Sequence, residues 1–204
     1  VNPIENLIII TGGPGSGKTT LIEALSRRGY RTVPESGRAV IRAQSASGGT
    51  ALPWSDPAAF AEAMFRRDLA AYDAARAAAS RDNAPIFFDR GLLDIIGYLR
   101  LMRLHIPPHI REAAAAHRYN PHVFAAPPWA AIYAQDAERK QDFAEASRTH
   151  AAITAAYRDG GYTIITLPKT GIPGRLRFLL ERVQIRRGRK RESGIVPGRA
   201  GLSR

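Results

Sequence analysis

The chain has 204 residues, of which 45% are hydrophobic; it contains no cysteine and carries a formal net charge of +12. The length suits one domain with a sizeable core, the hydrophobic share excludes a disordered chain, and the lack of cysteine excludes disulfides and thiolate metal sites. Half of the charge excess lies in 184–204, where seven Arg and Lys residues meet the single acid Glu192. Such a run is either a solvated, frayed tail or an anchor for anionic lipid, a protein or nucleic acid.

In chain order, the β-branched run at 6–10 predicts a buried parallel strand. Its apolar stretch is too short for a signal peptide or a membrane span, which leads to the expectation of a cytoplasmic protein. Leu21, Ile22 and Leu25 recur at helical spacing before Gly29 ends that helix. A brief strand at 31–34 and a short helix at 36–43 follow. The polar, Gly- and Pro-containing stretch 45–56 reads as a functional loop. Pro57 suits the first position of a helix running to about residue 80, with Phe60, Met64, Leu69 and Tyr72 as its apolar stripe.

A third strand at 85–88 ends at Asp89-Arg90, and helices at 92–104 and 108–117 flank the Pro107-Pro108 break. A weak strand at 122–126, a loop, a long helix at 138–158 closed by Gly160-Gly161, a strand at 162–167 and a last helix at 173–185 complete the chain. Strands alternate with helices throughout. This predicts an α/β fold of three layers, a central parallel sheet of about five strands covered by helices on both faces. One domain is expected over 1–185, with a basic tail at 186–204.

The stretch "TGGPGSGKTT" carries the strongest chemical signal. Gly12, Gly13, Pro14, Gly15, Ser16, Gly17, Lys18 and Thr19 satisfy G-x-x-x-x-G-K-[ST], with Thr20 beside them, and a strand precedes while a helix follows. Glycines let successive N–H groups turn inward around phosphates, and the helix N-terminus adds positive potential. Lys18 can reach the β- and γ-phosphates, and the Thr19 hydroxyl can bind Mg²⁺.

Asp89, at the end of an apolar strand, is the expected Mg²⁺-associated carboxylate, or else a cap for the next helix. Arg90 follows it, where many P-loop hydrolases place a water-positioning glutamate, so an acceptor other than water is favoured. Glu35 directly follows the second strand and should reach the same crevice as acceptor base or acceptor ligand, or simply start a helix. Arg38 one turn on, Arg90 and Trp54 are candidate acceptor contacts, with Phe60, Arg66 and Arg67 as further wall candidates. In "PPWAAIYAQDAERK", at 127–140, a lid is expected, with Arg139 closing on the transferring phosphoryl group. The loop Pro168-Lys169-Thr170-Gly171 sits where a base rests and lacks the N-K-x-D guanine signature, favouring ATP over GTP. The five histidines form no defensible metal site.

Together, "GGPGSGKTT", "VPESGR", "LPW", "FFDRGLLD", "PPWAAIY", "DAERK" and "GYTIITLP" with "RLRFLLE" resemble a P-loop family, often labelled an AAA-type domain. That family contains the ribosylnicotinamide kinase domain of NadR and related GTP-binding proteins. The resemblance runs from about residue 7 to 182. It implies a nucleoside- or nucleotide-kinase-like fold binding ATP or GTP with Mg²⁺, without the small helical second domain that the AAA label suggests. Lys18, Thr19 and Asp89 carry over most directly, then Glu35, Arg90 and Arg139. The leading expectation is a Mg²⁺-dependent kinase acting on a small hydroxyl-bearing metabolite such as a nucleoside. The alternative is a nucleotide-dependent switch whose tail binds a protein or anionic lipid. A nucleic-acid-associated ATPase ranks last, because no aromatic-interleaved basic groove is present.

Overall fold

The computed structural model describes residues 5–82, 84–133 and 142–192. Five strands form one sheet: β1 (Leu7–Gly12), β2 (Arg31–Val33), β3 (Ile86–Asp89), β4 (His122–Ala126) and β5 (Thr163–Thr166). Their order is β2-β3-β1-β4-β5 and every pairing is parallel. Seven α-helices are described: α1 (Lys18–Arg27), α2 (Ser36–Ser47), α3 (Pro57–Asp82), α4 (Leu92–Leu101), α5 (Pro108–Ala116), α6 (Phe143–Asp159) and α7 (Ile172–Glu192). The expected three-layer α/β fold is the observed one.

The layers follow from strand periodicity. Alternate side chains of β1 point to opposite faces. Leu7 and Ile9 join Phe88, Tyr119, Leu92, Ile96 and Ile153 under α3 to α6. Ile8 and Ile10 join Phe87, Phe124, Leu21, Leu25 and Leu179 under α1 and α7. Both faces of the strand are therefore apolar, as a parallel strand at the centre of a sheet requires. Each of these side chains contributes about 1.5–3 kcal/mol through burial.

The topology also places the ligand crevice. β1 lies at the middle, with the chain passing to β2 and β3 on one side and β4 and β5 on the other. In an open parallel sheet the crevice opens at the carboxyl ends of the strands where the order reverses. Gly12 and Asp89, the last residues of β1 and β3, both lie there, with Ile10 paired to Asp89 in register.

Several expected boundaries move. α2 continues to Ser47 and closes on Gly48, which takes a left-handed φ of 69°, so the following loop is shorter than its composition suggested. α4 stops at Leu101, ahead of Pro107, because Arg103 turns left-handed at φ 54°. α7 runs through 185 to Glu192, so the boundary drawn between domain and tail falls inside a helix.

Candidate functional site: a phosphate loop opening on a cavity

β1 ends at Gly12, and α1 begins at Lys18. Gly15 and Gly17 between them hold φ of 67° and 80°, a left-handed region that favours glycine. A Cβ on Gly13 would collide with the backbone carbonyl of Ala146, so α6 presses directly on the loop. No acid occupies the first turn of α1, leaving its positive end for an anion. Lys18 is almost fully buried, and its ammonium donates to the Gly13 carbonyl at 2.8 Å and to Ser16 Oγ at 3.4 Å. Ser16 Oγ also donates to the Gly13 carbonyl at 2.8 Å. These bonds keep a buried charge solvated by the loop itself. Thr19 and Thr20 are exposed on the first turn.

A residue the motif search passed over holds the loop from behind. Arg175 on α7 is 1% exposed. Its Nη1 donates to the Ser16 carbonyl at 2.6 Å and its Nε to the Pro168 carbonyl at 3.0 Å. Its guanidinium carbon lies 5.2 Å from the Trp129 ring centroid. One side chain thus ties the phosphate loop to the loop after β5. The sequence signal was an arginine in the first turn of the last helix, one residue before Leu176 of the core.

Beside the loop, the carboxyl end of β3 organises a charged cluster. Arg90 has a left-handed φ of 77°, a strained conformation for a non-glycine residue. Its N–H donates to the Ile10 carbonyl at 3.0 Å. Its Nε meets Glu35 Oε1 and its Nη1 meets Asp94 Oδ1, each at 3.1 Å. Burial works against the Arg90 charge, but Glu35, Asp94 and Asp89 outweigh it and hold the guanidinium protonated well above its ordinary range. Asp94 accepts further bonds from Thr11 Oγ1 at 2.5 Å, Tyr157 OH at 2.7 Å and the Gly91 N–H at 3.0 Å. It is a fully satisfied hub joining β1, α4 and α6. Its sequence signal was an acid three residues after Gly91 in the first turn of a helix.

From this cluster a cavity of about 950 Å³ opens between α2, α3, α4 and α6, within the usual volume for small-molecule sites. Pro14 of the phosphate loop lines it, as do Glu35, Ser36, Arg38, Asp68 and Arg90, so loop and cavity share a wall. Trp54, Phe60 and Tyr98 supply aromatic surface, and Phe60 packs edge-on against Tyr98 with centroids 5.7 Å apart. Trp54 is 65% exposed, standing at the mouth.

Most of the residues picked out in the sequence therefore meet in space. The phosphate loop, Glu35, Arg38, Asp89, Arg90 and Trp54 all lie at this end of the sheet or in the cavity it opens. Arg66 and Arg67 do not line the cavity: both are exposed, and Arg66 pairs with Glu62 at 3.1 Å. Helical spacing explains this, since Phe60, Met64 and Asp68, four apart, share the cavity face. Asp68 was missed, although its position on that stripe marks it. Arg139 lies outside the described residues. Of the expected lid, residues 127–133 are described; they form a single 3-10 turn, Ala130–Ile132, followed by Tyr133, whose ring stands 2.6 Å from where a Gly15 Cβ would be. His109, instead of a metal, meets Glu62 at 2.8 Å, and no cluster of three potential metal ligands occurs among the described residues.

A phosphate loop at the end of a five-stranded parallel sheet, opening on a cavity lined by side chains, is the architecture of the kinase-like P-loop proteins. More narrowly, the chain belongs to the AAA domain family whose model matches residues 7–175. Among solved structures it resembles a NadR protein in complex with NR, with a TM-score of 0.62 and 17% identity over 97% of this chain. This chain spans about half of that one, 53% of its length. It also resembles deoxyadenosine kinase from M. mycoides, seen with dCMP and dCDP, with a TM-score of 0.60 and 13% identity over 88% of this chain and 99% of that one. The same kinase with bound dATP gives a TM-score of 0.58 at 12% identity, over 87% of this chain and 99% of that one. At these identities the likeness is one of fold. No curated protein sequence matches the chain. No helix among the described residues is long and apolar enough to cross a membrane.

Proposed function

We propose that the protein is a Mg²⁺-dependent, ATP-using kinase that transfers the γ-phosphoryl group to a hydroxyl of a small metabolite such as a nucleoside. The observation that carries this reading is the shared wall: Pro14 of the phosphate loop and Glu35 and Arg90 of the charged cluster border one cavity of about 950 Å³. A hydrolase needs room only for water beside the γ-phosphate. A cavity of this size with aromatic walls suits a ring-bearing acceptor.

The residues present fit Mg²⁺. Thr19 and Asp89 offer hard oxygen donors on adjacent elements, and a magnesium ion held mainly by phosphates and water needs few protein ligands. Bound there, the ion would neutralise charge on the phosphate oxygens. Lys18 would exchange the Gly13 carbonyl for phosphate oxygens, while the loop amides and the start of α1 hold the rest of the chain of phosphates. Glu35 would orient the acceptor hydroxyl and receive its proton, with Arg90 fixing the carboxylate in place. Arg139 would complete the charge stabilisation from the lid. Transfer to a positioned hydroxyl in such a site is chiefly alignment and electrostatics.

The test is ADP release from purified protein with Mg·ATP, alone and with nicotinamide riboside, adenosine or deoxyadenosine. One acceptor should stimulate release strongly, and Lys18→Ala should lower the stimulated rate by a factor on the order of 10²–10³. A rate indifferent to every acceptor, or unchanged in Lys18→Ala, would overturn the reading.

A further inference from the structure

Asp68 is a carboxyl group that the proposed mechanism does not use. It sits on α3 one turn beyond Met64 and two beyond Phe60, on the face that walls the cavity. Across the cavity edge, Ser36, the first residue of α2, is hydrogen-bonded to its carboxyl. Glu35 and Asp94 each take an arm of the Arg90 guanidinium at 3.1 Å, and Asp94 is further saturated by Thr11, Tyr157 and Gly91. Of the four acids that line the cavity, Glu35 and Asp94 are held by Arg90, while Asp68 and Glu145 stand outside that web, and Asp68 is the one on α3 beside Glu35.

We propose that Asp68 is a specificity-determining residue of the acceptor cavity, its carboxyl accepting a hydrogen bond from a hydroxyl of the acceptor that is not phosphorylated. The inference rests on the kinase reading and sharpens it: the acceptor carries at least two hydroxyls, one facing the phosphate loop and Glu35, another facing α3. A purely structural carboxyl, pinning α2 to α3 through Ser36, has no reason to remain at the wall of an open cavity.

The electrostatics agree. Burial pushes the Asp68 carboxyl up to about 7, against the Ser36 hydrogen bond, and the negative charges of Asp94 and Glu35 raise it further while Arg90 lowers it. Around it the cavity also presents Arg38 and Arg42 from α2, Tyr98 from α4 and Glu145 from α6. Asp68 therefore changes charge across neutral pH, and the charged form accepts a hydroxyl hydrogen bond more strongly than the neutral one. Acceptor affinity should rise as pH passes upward through 7.

The experiment is calorimetric titration of the full chain with nicotinamide riboside and with adenosine at pH 6 and pH 8, beside a titration with Mg·ATP. Wild-type affinity for at least one of the two should increase roughly tenfold from pH 6 to pH 8, the scale of one charge-assisted bond. Asp68→Asn, which retains an oxygen acceptor for Ser36, should bind the same probe weakly and equally at both pH values, with Mg·ATP affinity unchanged. A pH-independent wild type, or an Asn variant that keeps the pH dependence, would overturn the role of Asp68. Wild type that binds Mg·ATP but neither probe also overturns it, while leaving the phosphate loop intact. Loss of Mg·ATP binding in wild type would instead sink the kinase reading beneath it.

Discussion

The phosphate loop and the cavity beside it meet at Pro14 but are built in opposite ways. The loop is one continuous stretch whose working groups are backbone amides, so its chemistry is written in consecutive letters. The cavity takes side chains from α2, α3, α4, α6 and the loop before α3, and its charged walls come from separate stretches of the chain: Glu35 with Arg38, then Asp68, then Arg90 with Asp94, then Glu145. A loop made of backbone tolerates distant relatives with the same geometry. A cavity made of side chains can change its acceptor by single substitutions, so nucleotide binding and acceptor choice should separate under mutation.

The largest expected effect is at Arg90, which lines the cavity and bonds to β1 just ahead of the phosphate loop. Arg90→Ala leaves Glu35 and Asp94 as buried acids without their shared cation and should cost about 3–5 kcal/mol of stability. Arg90→Gly removes the same guanidinium but suits the left-handed φ of 77°. It should be more stable than the alanine variant by about 1 kcal/mol. Denaturant unfolding of the two variants measures the difference. If glycine is no better than alanine, the left-handed backbone at position 90 carries no strain that glycine relieves.

The second prediction separates the regions from the other side. Arg175→Lys keeps the charge but cannot span the Ser16 and Pro168 carbonyls at once, because it lacks the planar fork. The phosphate loop would lose its brace while the cavity, which Arg175 does not line, stays intact. The Michaelis constant for ATP should rise about tenfold, in line with the loss of a charge-assisted hydrogen bond, and that for the acceptor should barely move. Equal changes in both constants would show that loop and cavity are mechanically one unit.

This contrast also explains what was legible in the sequence. Strand and helix alternation came through because β1, β3 and β4 are apolar on both faces and the helices carry stripes. Boundaries slipped where a single residue decides the turn, as Gly48 does after α2 and Arg103 after α4. Lys18, Thr19 and Asp89 stood out as candidates because their proposed roles follow from position next to a strand or loop. Asp94, Arg175 and Asp68 could not be read in the same way: each has a partner far off in the chain, Thr11 at 83 residues, Ser16 at 159 and Ser36 at 32. Asp68 had the clearest trace, a charged residue in phase with Phe60 and Met64. Arg66 and Arg67 drew attention by charge alone and lie out of phase.

The smallest expected effect is at Trp54. Its indole is mostly exposed and stands at the cavity mouth, so its truncation removes little folded-state packing. Trp54→Ala should change stability by less than about 0.5 kcal/mol, the usual range for surface substitutions. If a ring-bearing acceptor stacks on the indole, the acceptor Michaelis constant should still rise, by a factor of about five to ten, with the ATP constant unchanged. Trp54→Phe should recover most of that loss, since a smaller aromatic face still stacks. Recovery by phenylalanine but not by leucine would identify the contact as stacking on a flat ring. Equal recovery by leucine would mean that the mouth selects only for apolar bulk, and an aromatic acceptor would lose its main support.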